Sequence, residues 1–221
     1  MEPSTSARKL RLLCLHGFRT SGKIMRQQME KAKWIEAISD LVELVFIDAV
    51  WFATGPSNLE KMFEPPYFEW YQANKDFTEV QGVEEAVEFI EKTIEEKDPI
   101  DGFLAFSQGA ILGCALIGLQ EKDLRLFDTP RIRLVVVLGG ACSKILRLKP
   151  AYYDPIRCPS LHIIGEQDKT KKKAETLLRH FVEPILIRHA GGRIVPVLDP
   201  VAVQSFRSFL TKQLDSRGVR Q

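Results

Sequence analysis

The chain has little of what would assign it to a specialised class. Its 221 residues include four cysteines, Cys14, Cys114, Cys142 and Cys158, and none of them form a C-x-x-C pair. That spacing argues against a disulfide framework and against zinc ligation, and the thiols read as reduced core side chains of a cytosolic protein. No stretch reaches the ~18 apolar residues of a membrane span. The early apolar run Leu12 to Leu15 ends at His16-Gly17, too soon for a secretory signal. Ser216 to Gln221 matches no sorting or prenylation pattern. The expected location is the cytoplasm. Neither sign of charge dominates, since 31 Lys and Arg face 29 Asp and Glu, leaving +2. Such a balance gives no footing for nucleic acid or a membrane surface. The one basic run, Lys169 with Lys171 to Lys173, reads as a solvated helix start and not as a phosphate patch. There is no internal repeat, no low-complexity segment and no cofactor or metal motif, and nothing specifies an oligomeric state.

What is present is a core and an alternation. Hydrophobic residues make up 45% of the chain, and this length suits one α/β domain over residues 1–221, with an ordered core over about 10–214. Apolar runs at Leu10 to Leu15, Leu41 to Ile47, Ile100 to Phe106, Ile132 to Leu138, Ser160 to Ile164 and Pro184 to Ile187 predict strands. Helical spacing predicts helices over Ser21 to Ala37, Glu84 to Glu95, Gln108 to Leu119, Lys171 to Phe181 and Val201 to Leu214. Strands and helices taken in turn predict a mostly parallel sheet covered on both faces. Ligands of such sheets bind at the carboxyl ends of the strands. Trp51 to Phe77 interrupts the alternation with Gly55-Pro56, Pro65-Pro66 and eight aromatics. A loop of that length is usually functional. It is expected to wall a pocket, the alternative being a surface loop packed on itself.

The most informative segment is Ile100-Asp-Gly-Phe-Leu-Ala-Phe-Ser-Gln-Gly-Ala-Ile-Leu112. A buried strand leads to Ser107, and an apolar helix follows. A serine on a sharp strand-to-helix turn exposes its hydroxyl above the sheet, as a nucleophile requires. Ala105 and Gly109 are the small residues two before and two after it; the usual pattern has glycine at both. The competing reading is an ordinary turn with a serine N-cap.

A serine nucleophile needs oxyanion donors, a base and an acid. His16-Gly17-Phe18 follows the first strand, so the backbone N–H groups of Phe18 and Gln108 are the expected donors, unless His16-Gly17 is only a tight turn. Asp168, in Gly165-Glu-Gln-Asp168 at a later strand end, is the expected acid. Glu166 is its competitor, and a helix N-cap is the other role open to Asp168. Chain order then predicts a histidine after the sixth strand. The segment there reads His189-Ala-Gly-Gly-Arg-Ile-Val-Pro196. His162 falls inside a strand and His180 within a helix, so neither is placed as a base.

These motifs together resemble the FSH family of serine hydrolases, and most closely its plant esterase branch. The carriers are Leu13-Cys-Leu-His-Gly-Phe-Arg-Thr-Ser-Gly22, Pro65-Pro-Tyr-Phe-Glu-Trp70, Asp101 to Leu112, Gly139-Gly140, Leu161 to Asp168 and His189 to Pro196. They span about residues 10 to 210. The resemblance implies an α/β-hydrolase with little cap, acting on small-molecule carboxylic esters or thioesters without a cofactor. It maps the nucleophile to Ser107 and the acid to Asp168. It also implies His-x-x-Gly-His-x-Val-Pro around the base, with the second histidine catalytic. Here His189 holds the first place and Arg193 the second.

Arginine stays charged near neutral pH and accepts no proton. A bidentate pair between Arg193 and Asp168 is one expected consequence. Three functional outcomes are open. His189 serves as a substitute base, the loop being pliable at Gly191 and Gly192; the site works weakly; or the chain is a pseudo-hydrolase that holds an acyl or ester-like ligand.

Overall fold

A computed structural model describes residues 8–74 and 77–216. Three segments lie outside the described residues: 1–7, positions 75 and 76 of the aromatic loop, and 217–221.

Six strands form one sheet: β1 (Leu10–Leu15), β2 (Val42–Phe46), β3 (Gly102–Phe106), β4 (Leu134–Leu138), β5 (Ser160–Gly165) and β6 (Ile185–His189). Their order is β6-β5-β4-β3-β1-β2, and every pairing is parallel. β3 and β4 are buried at every residue, which is why both read as unbroken apolar runs. Side chains alternate between two cores, as the strand period of two requires. Leu13, Leu15, Phe103, Ala105, Val135 and Val137 face α3 (Val83–Glu96) and α4 (Gln108–Gln120). Leu12, Cys14, Leu104, Phe106, Val136 and Leu138 face α1 (Gly22–Lys31), α2 (Trp34–Ile38) and α6 (Pro200–Asp215). Helices therefore cover both faces, in the α/β-hydrolase arrangement. No helix among the described residues is long and apolar enough to cross a membrane. Cys14, Cys114 and Cys158 are buried free thiols and Cys142 a half-buried one.

The direction of strand order changes between β1 and β3. At such a switch point the loops leave the sheet in opposite directions and open a crevice. The loops that leave it here carry His16-Gly17 and Ser107.

Three elements depart from the sequence expectation. The helix expected over Ser21 to Ala37 is two helices, because Lys33 adopts φ 64°. That turn drives Trp34 inward, where its Nε1–H donates to Pro196 O at 2.7 Å and its ring meets Phe206 edge-on at 5.3 Å. The helix expected to run to Phe181 is α5 (Lys171–Leu178); Phe181 instead turns into the core beside Ile156. A 3₁₀ helix, Leu146–Tyr152, packs on α4 so closely that a Cβ on Gly118 would meet Ala151 O at 2.4 Å.

The aromatic segment is braced by two short antiparallel ladders. Trp51–Phe52 pairs with Phe68–Glu69, and Gln72–Ala73 with Val80–Gln81.

Gly109 lies where α4 meets the end of β1. A Cβ there would sit 2.4 Å from Leu15 O and 2.6 Å from His16 O, both rigid backbone atoms. Gly109→Ala is therefore expected to destabilise the fold by about 1–3 kcal/mol in urea denaturation. A Cβ on Gly192 meets nothing closer than 3.7 Å, so Gly192→Ala should stay within about 0.5 kcal/mol of the parent.

Burial also pushes His16 down to about 4 and His162 down to about 3. Both rings fold neutral, and in the unfolded chain they take up protons near 6.5. The unfolded state thus binds more protons below that value, and stability is lost as the pH falls from about 6.5 toward 4. The urea midpoint should drop between pH 7 and pH 5. His162→Gln, which can still meet Ser160, should flatten that slope.

Candidate active site

Ser107 leaves β3 with φ 53° and ψ −110°. This is left-handed backbone that a non-glycine residue adopts only when its surroundings impose it. The imposition comes from both sides: Ser107 N–H donates to Leu138 O of β4 at 2.9 Å, and Gly109 N–H donates to His16 O at 3.2 Å. The Ser107 side chain makes no capping bond to α4, so the N-cap reading does not hold. Ala105, where glycine was the expected pattern, is fully buried and faces Gly113 one turn into α4. A Cβ on Gly113 would lie 3.7 Å from that of Ala105.

The loop after β1 is fixed by its own histidine. Ala49 N–H donates to His16 Nε2 at 2.9 Å, so the ring proton must sit on Nδ1, which points at Gly17 O at 2.8 Å. The Thr20 hydroxyl donates to the same carbonyl. His16 is thus a buried scaffold. Among the described residues, neither Phe18 N–H nor Gln108 N–H has an acceptor. Gly17 is close enough to the elbow that a Cβ on it would sit 3.5 Å from Ser107 Cβ.

Asp168 follows β5. Its Oδ1 accepts from Thr170 N–H at 2.7 Å and from the Thr170 hydroxyl at 2.8 Å. Burial by itself would raise the carboxyl, but the Thr170 donors and then the Arg193 guanidinium outweigh it and hold it below its ordinary value. Thr170, not Asp168, occupies the N-cap position of α5. The competitor Glu166 turns to the surface and pairs with Lys171 and Arg188.

Arg193 lies between the other two. Its Nη1 donates to Ser107 Oγ at 3.1 Å and its Nε to Asp168 Oδ2 at 3.2 Å. The expected bidentate pair is not formed, because Thr170 occupies Oδ1 and the guanidinium spends a second donor on the serine. Gly139, at φ 53°, floors this bridge; a Cβ on it would come within 3.4 Å of both Arg193 and Asp168.

His189 is elsewhere. Its Nδ1 accepts from Gly191 N–H at 3.2 Å, and among the described residues it makes no hydrogen bond to Ser107 or Asp168. Burial lowers its pKa, against the pull of Asp168 and Glu166. The loop read as pliable is held at both ends. Gln167 N–H donates to Gly191 O at 3.0 Å, and Trp34 holds Pro196. Gly165 permits this approach, since a Cβ there would strike Gly191 O and Gly192 O at 2.4 Å.

A cavity of about 760 Å³ opens beside Ser107, Gln108 and Arg193. The aromatic segment supplies Leu59, Met62, Phe63, Tyr71 and Phe77 to its wall. The other aromatics do different work: Trp70 is buried, donating from Nε1 to His16 O at 2.9 Å, and Phe52 stacks on Phe68 outside.

Three supporting groups were not anticipated from the sequence. The Gln108 side chain accepts from Trp70 N–H at 2.9 Å and donates to Tyr71 O at 2.7 Å, tying the aromatic segment to the elbow. Arg19 pairs with the buried Glu69 at 2.7 Å, tying it to the loop after β1. Thr170 was signalled only by its place two residues after the carboxylate, the spacing of an Asx turn. Among the described residues no group of His, Cys, Asp and Glu is arranged to hold a metal.

Comparison with known proteins agrees with this architecture. A family model described as serine hydrolase (FSH1) matches residues 4–205. The chain is 30% identical to esterase C25G4.2 of Caenorhabditis elegans, over 96% of this chain and 98% of that one. It is 29% identical to esterase OVCA2 of Bos taurus, over 93% and 97%. In structure it is similar to acyl-protein thioesterase 2 of Zea mays, with a TM-score of 0.66 at 16% identity over 97% of each chain, a likeness of fold alone. By the family match the chain belongs to the FSH1 serine hydrolases.

Proposed function

We propose that this chain is a slow hydrolase of small-molecule carboxylic esters or thioesters, working through an acyl intermediate on Ser107. The observation that carries the reading is the line of three side chains from three strand ends: Ser107 Oγ, Arg193 and Asp168, joined at 3.1 and 3.2 Å on a left-handed elbow. Arg193 holds the place of the family's base. The motifs Leu13 to Gly22 and Pro65 to Trp70 support the plant-esterase-like branch, and the free thiols support a reducing compartment, the cytoplasm.

In this scheme Oγ attacks the carbonyl carbon, and the carbonyl oxygen becomes an anion received by Phe18 and Gln108 N–H. The Oγ proton passes to solvent, because the guanidinium cannot take it. The leaving alkoxide or thiolate is protonated by water, and a second water releases the acid. Asp168 orients Arg193 rather than an imidazole. A triad lacking one member retains about 10³–10⁴-fold acceleration from binding and the oxyanion donors. A second reading is supported by the bond from Arg193 to Oγ, which occupies the nucleophile: a pseudo-hydrolase that holds an acyl ligand.

Fluorophosphonate labelling separates the two. Arg193→His should label about 10²–10⁴-fold faster than the parent, the usual worth of a general base. Its rate should climb with pH through the ordinary imidazole range near 6.5, whereas the parent shows no such step. Ser107→Ala should abolish labelling in either background. Fast labelling of the parent that is lost in His189→Ala would make His189 the base. No gain in Arg193→His would leave the pseudo-hydrolase reading.

A further inference from the structure

We propose that the cavity beside Ser107 is a binding site for the free carboxylate of an apolar acid, and that Arg193 makes the site prefer the acid over its ester. This rests on the reading of Ser107 and its amides as the acyl site, and it extends that reading to the charge of the ligand.

The first observation is the kind of groups that converge. Phe18 N–H and Gln108 N–H are donors without acceptors among the described residues. Arg193 Nη1 points at Ser107 Oγ. Oγ accepts that bond, so its own proton is left to donate. With a neutral imidazole in this place, the ring nitrogen would accept the serine proton and the site would mix donors with an acceptor. With arginine, every group at the centre is a donor. A donor-only centre matches two carboxylate oxygens better than one ester carbonyl.

The second observation is charge. The charged side chains that line the cavity are Lys31 and Arg193, both cations; no Asp or Glu lines it among the described residues. Asp168 is not part of the lining: its Oδ1 accepts from Thr170 and its Oδ2 from Arg193 Nε, which leaves the Nη end of Arg193 on the side of Ser107. Arg193 is not sealed in, its side chain keeping 30% exposure, so its outward nitrogens stay open to a ligand. The third observation is the wall. Leu59, Met62, Phe63, Phe77, Ile111 and Val197 make most of the remaining wall apolar, with Gln28, Ser57, Asn58 and Asn74 as its polar members. An apolar chain would bury there while its carboxylate met Phe18, Gln108, Ser107 and Arg193.

Isothermal titration calorimetry of the parent with decanoate, methyl decanoate and 1-decanol tests this by binding, turnover of the ester by the parent being slow against a titration. Decanoate should bind at least about tenfold more tightly than the ester or the alcohol, the margin expected for a half-desolvated charge pair. Arg193→Met should remove that margin while leaving the ester affinity near its parent value. Equal binding of acid and ester by the parent overturns the proposal whatever the variants do. So does an undiminished acid preference in Arg193→Met, its fold checked by thermal melting. If Arg193→His gains labelling but decanoate shows no preference, the hydrolase reading stands and this proposal falls. If decanoate prefers the parent but no variant labels, the anion site stands and the nucleophile fails.

Discussion

The hydrogen bond from Gly109 N–H to His16 O joins the two loops on which the site is built. It pulls the first turn of α4 against the end of β1, and only a residue without a Cβ tolerates the approach. The consequence is geometric. Ser107, two residues earlier, has no extended route out of β3 and must take a positive φ, lifting Oγ above the sheet. The same bond brings Gln108 beside the loop of Gly17 and Phe18. His16 accepts it through its carbonyl, and that carbonyl also receives Trp70 Nε1–H. The elbow, the loop after β1 and the aromatic segment therefore share one acceptor. Loss of the close contact would disturb all three together.

Around that seam the chain uses polar ties where an apolar contact would not fix orientation. Arg19 to Glu69, Gln108 to residues 70 and 71, and Trp34 to Pro196 are each directional and at least partly removed from water. Breaking one partner would leave the other unsatisfied, which costs more than the bond itself contributes. These ties hold the walls of the cavity and the ends of the Arg193 loop, so the bridge from Ser107 to Asp168 rests on a rigid frame.

The sheet was legible because its central strands are buried on both sides, and a short continuous apolar run such as Leu134 to Leu138 fits the middle of a covered sheet and little else. Ser107, Asp168 and the loop at Phe18 were legible for a related reason: each lies where an apolar run stops, and in a parallel sheet those stops share one edge. Lys33 was not legible, since no glycine or proline marks its left-handed turn and the helical spacing continues through it. The Gln108 side chain was hidden by distance, as its partners lie 37 and 38 positions back. The aromatic segment was half legible. Its richness was plain, but nothing in the residue types separates Phe63 and Phe77, which face the cavity, from Trp70 beneath and Phe52 outside. The direction of the Arg193 fork was likewise beyond sequence, because it depends on Thr170 having already filled one oxygen of Asp168.

On the proposed reading the bridge also bears on rate. A base at position 193 must be neutral before attack and cationic in the transition state, and the change of charge is what lowers the barrier. Arginine supplies the second state permanently. In the proposed reaction its guanidinium would stabilise negative charge developing on Oγ and on the tetrahedral centre, yet it binds the resting hydroxyl at 3.1 Å as well. Stabilisation present in both states leaves the barrier between them nearly unchanged. On the proposed reading, an arginine at this place would remove proton transfer without installing an equivalent electrostatic term, and would raise affinity for a ligand that arrives already carrying the charge. The two proposals thus set chemistry and anion binding against each other through a single side chain, so a residue change that favours one is expected to weaken the other.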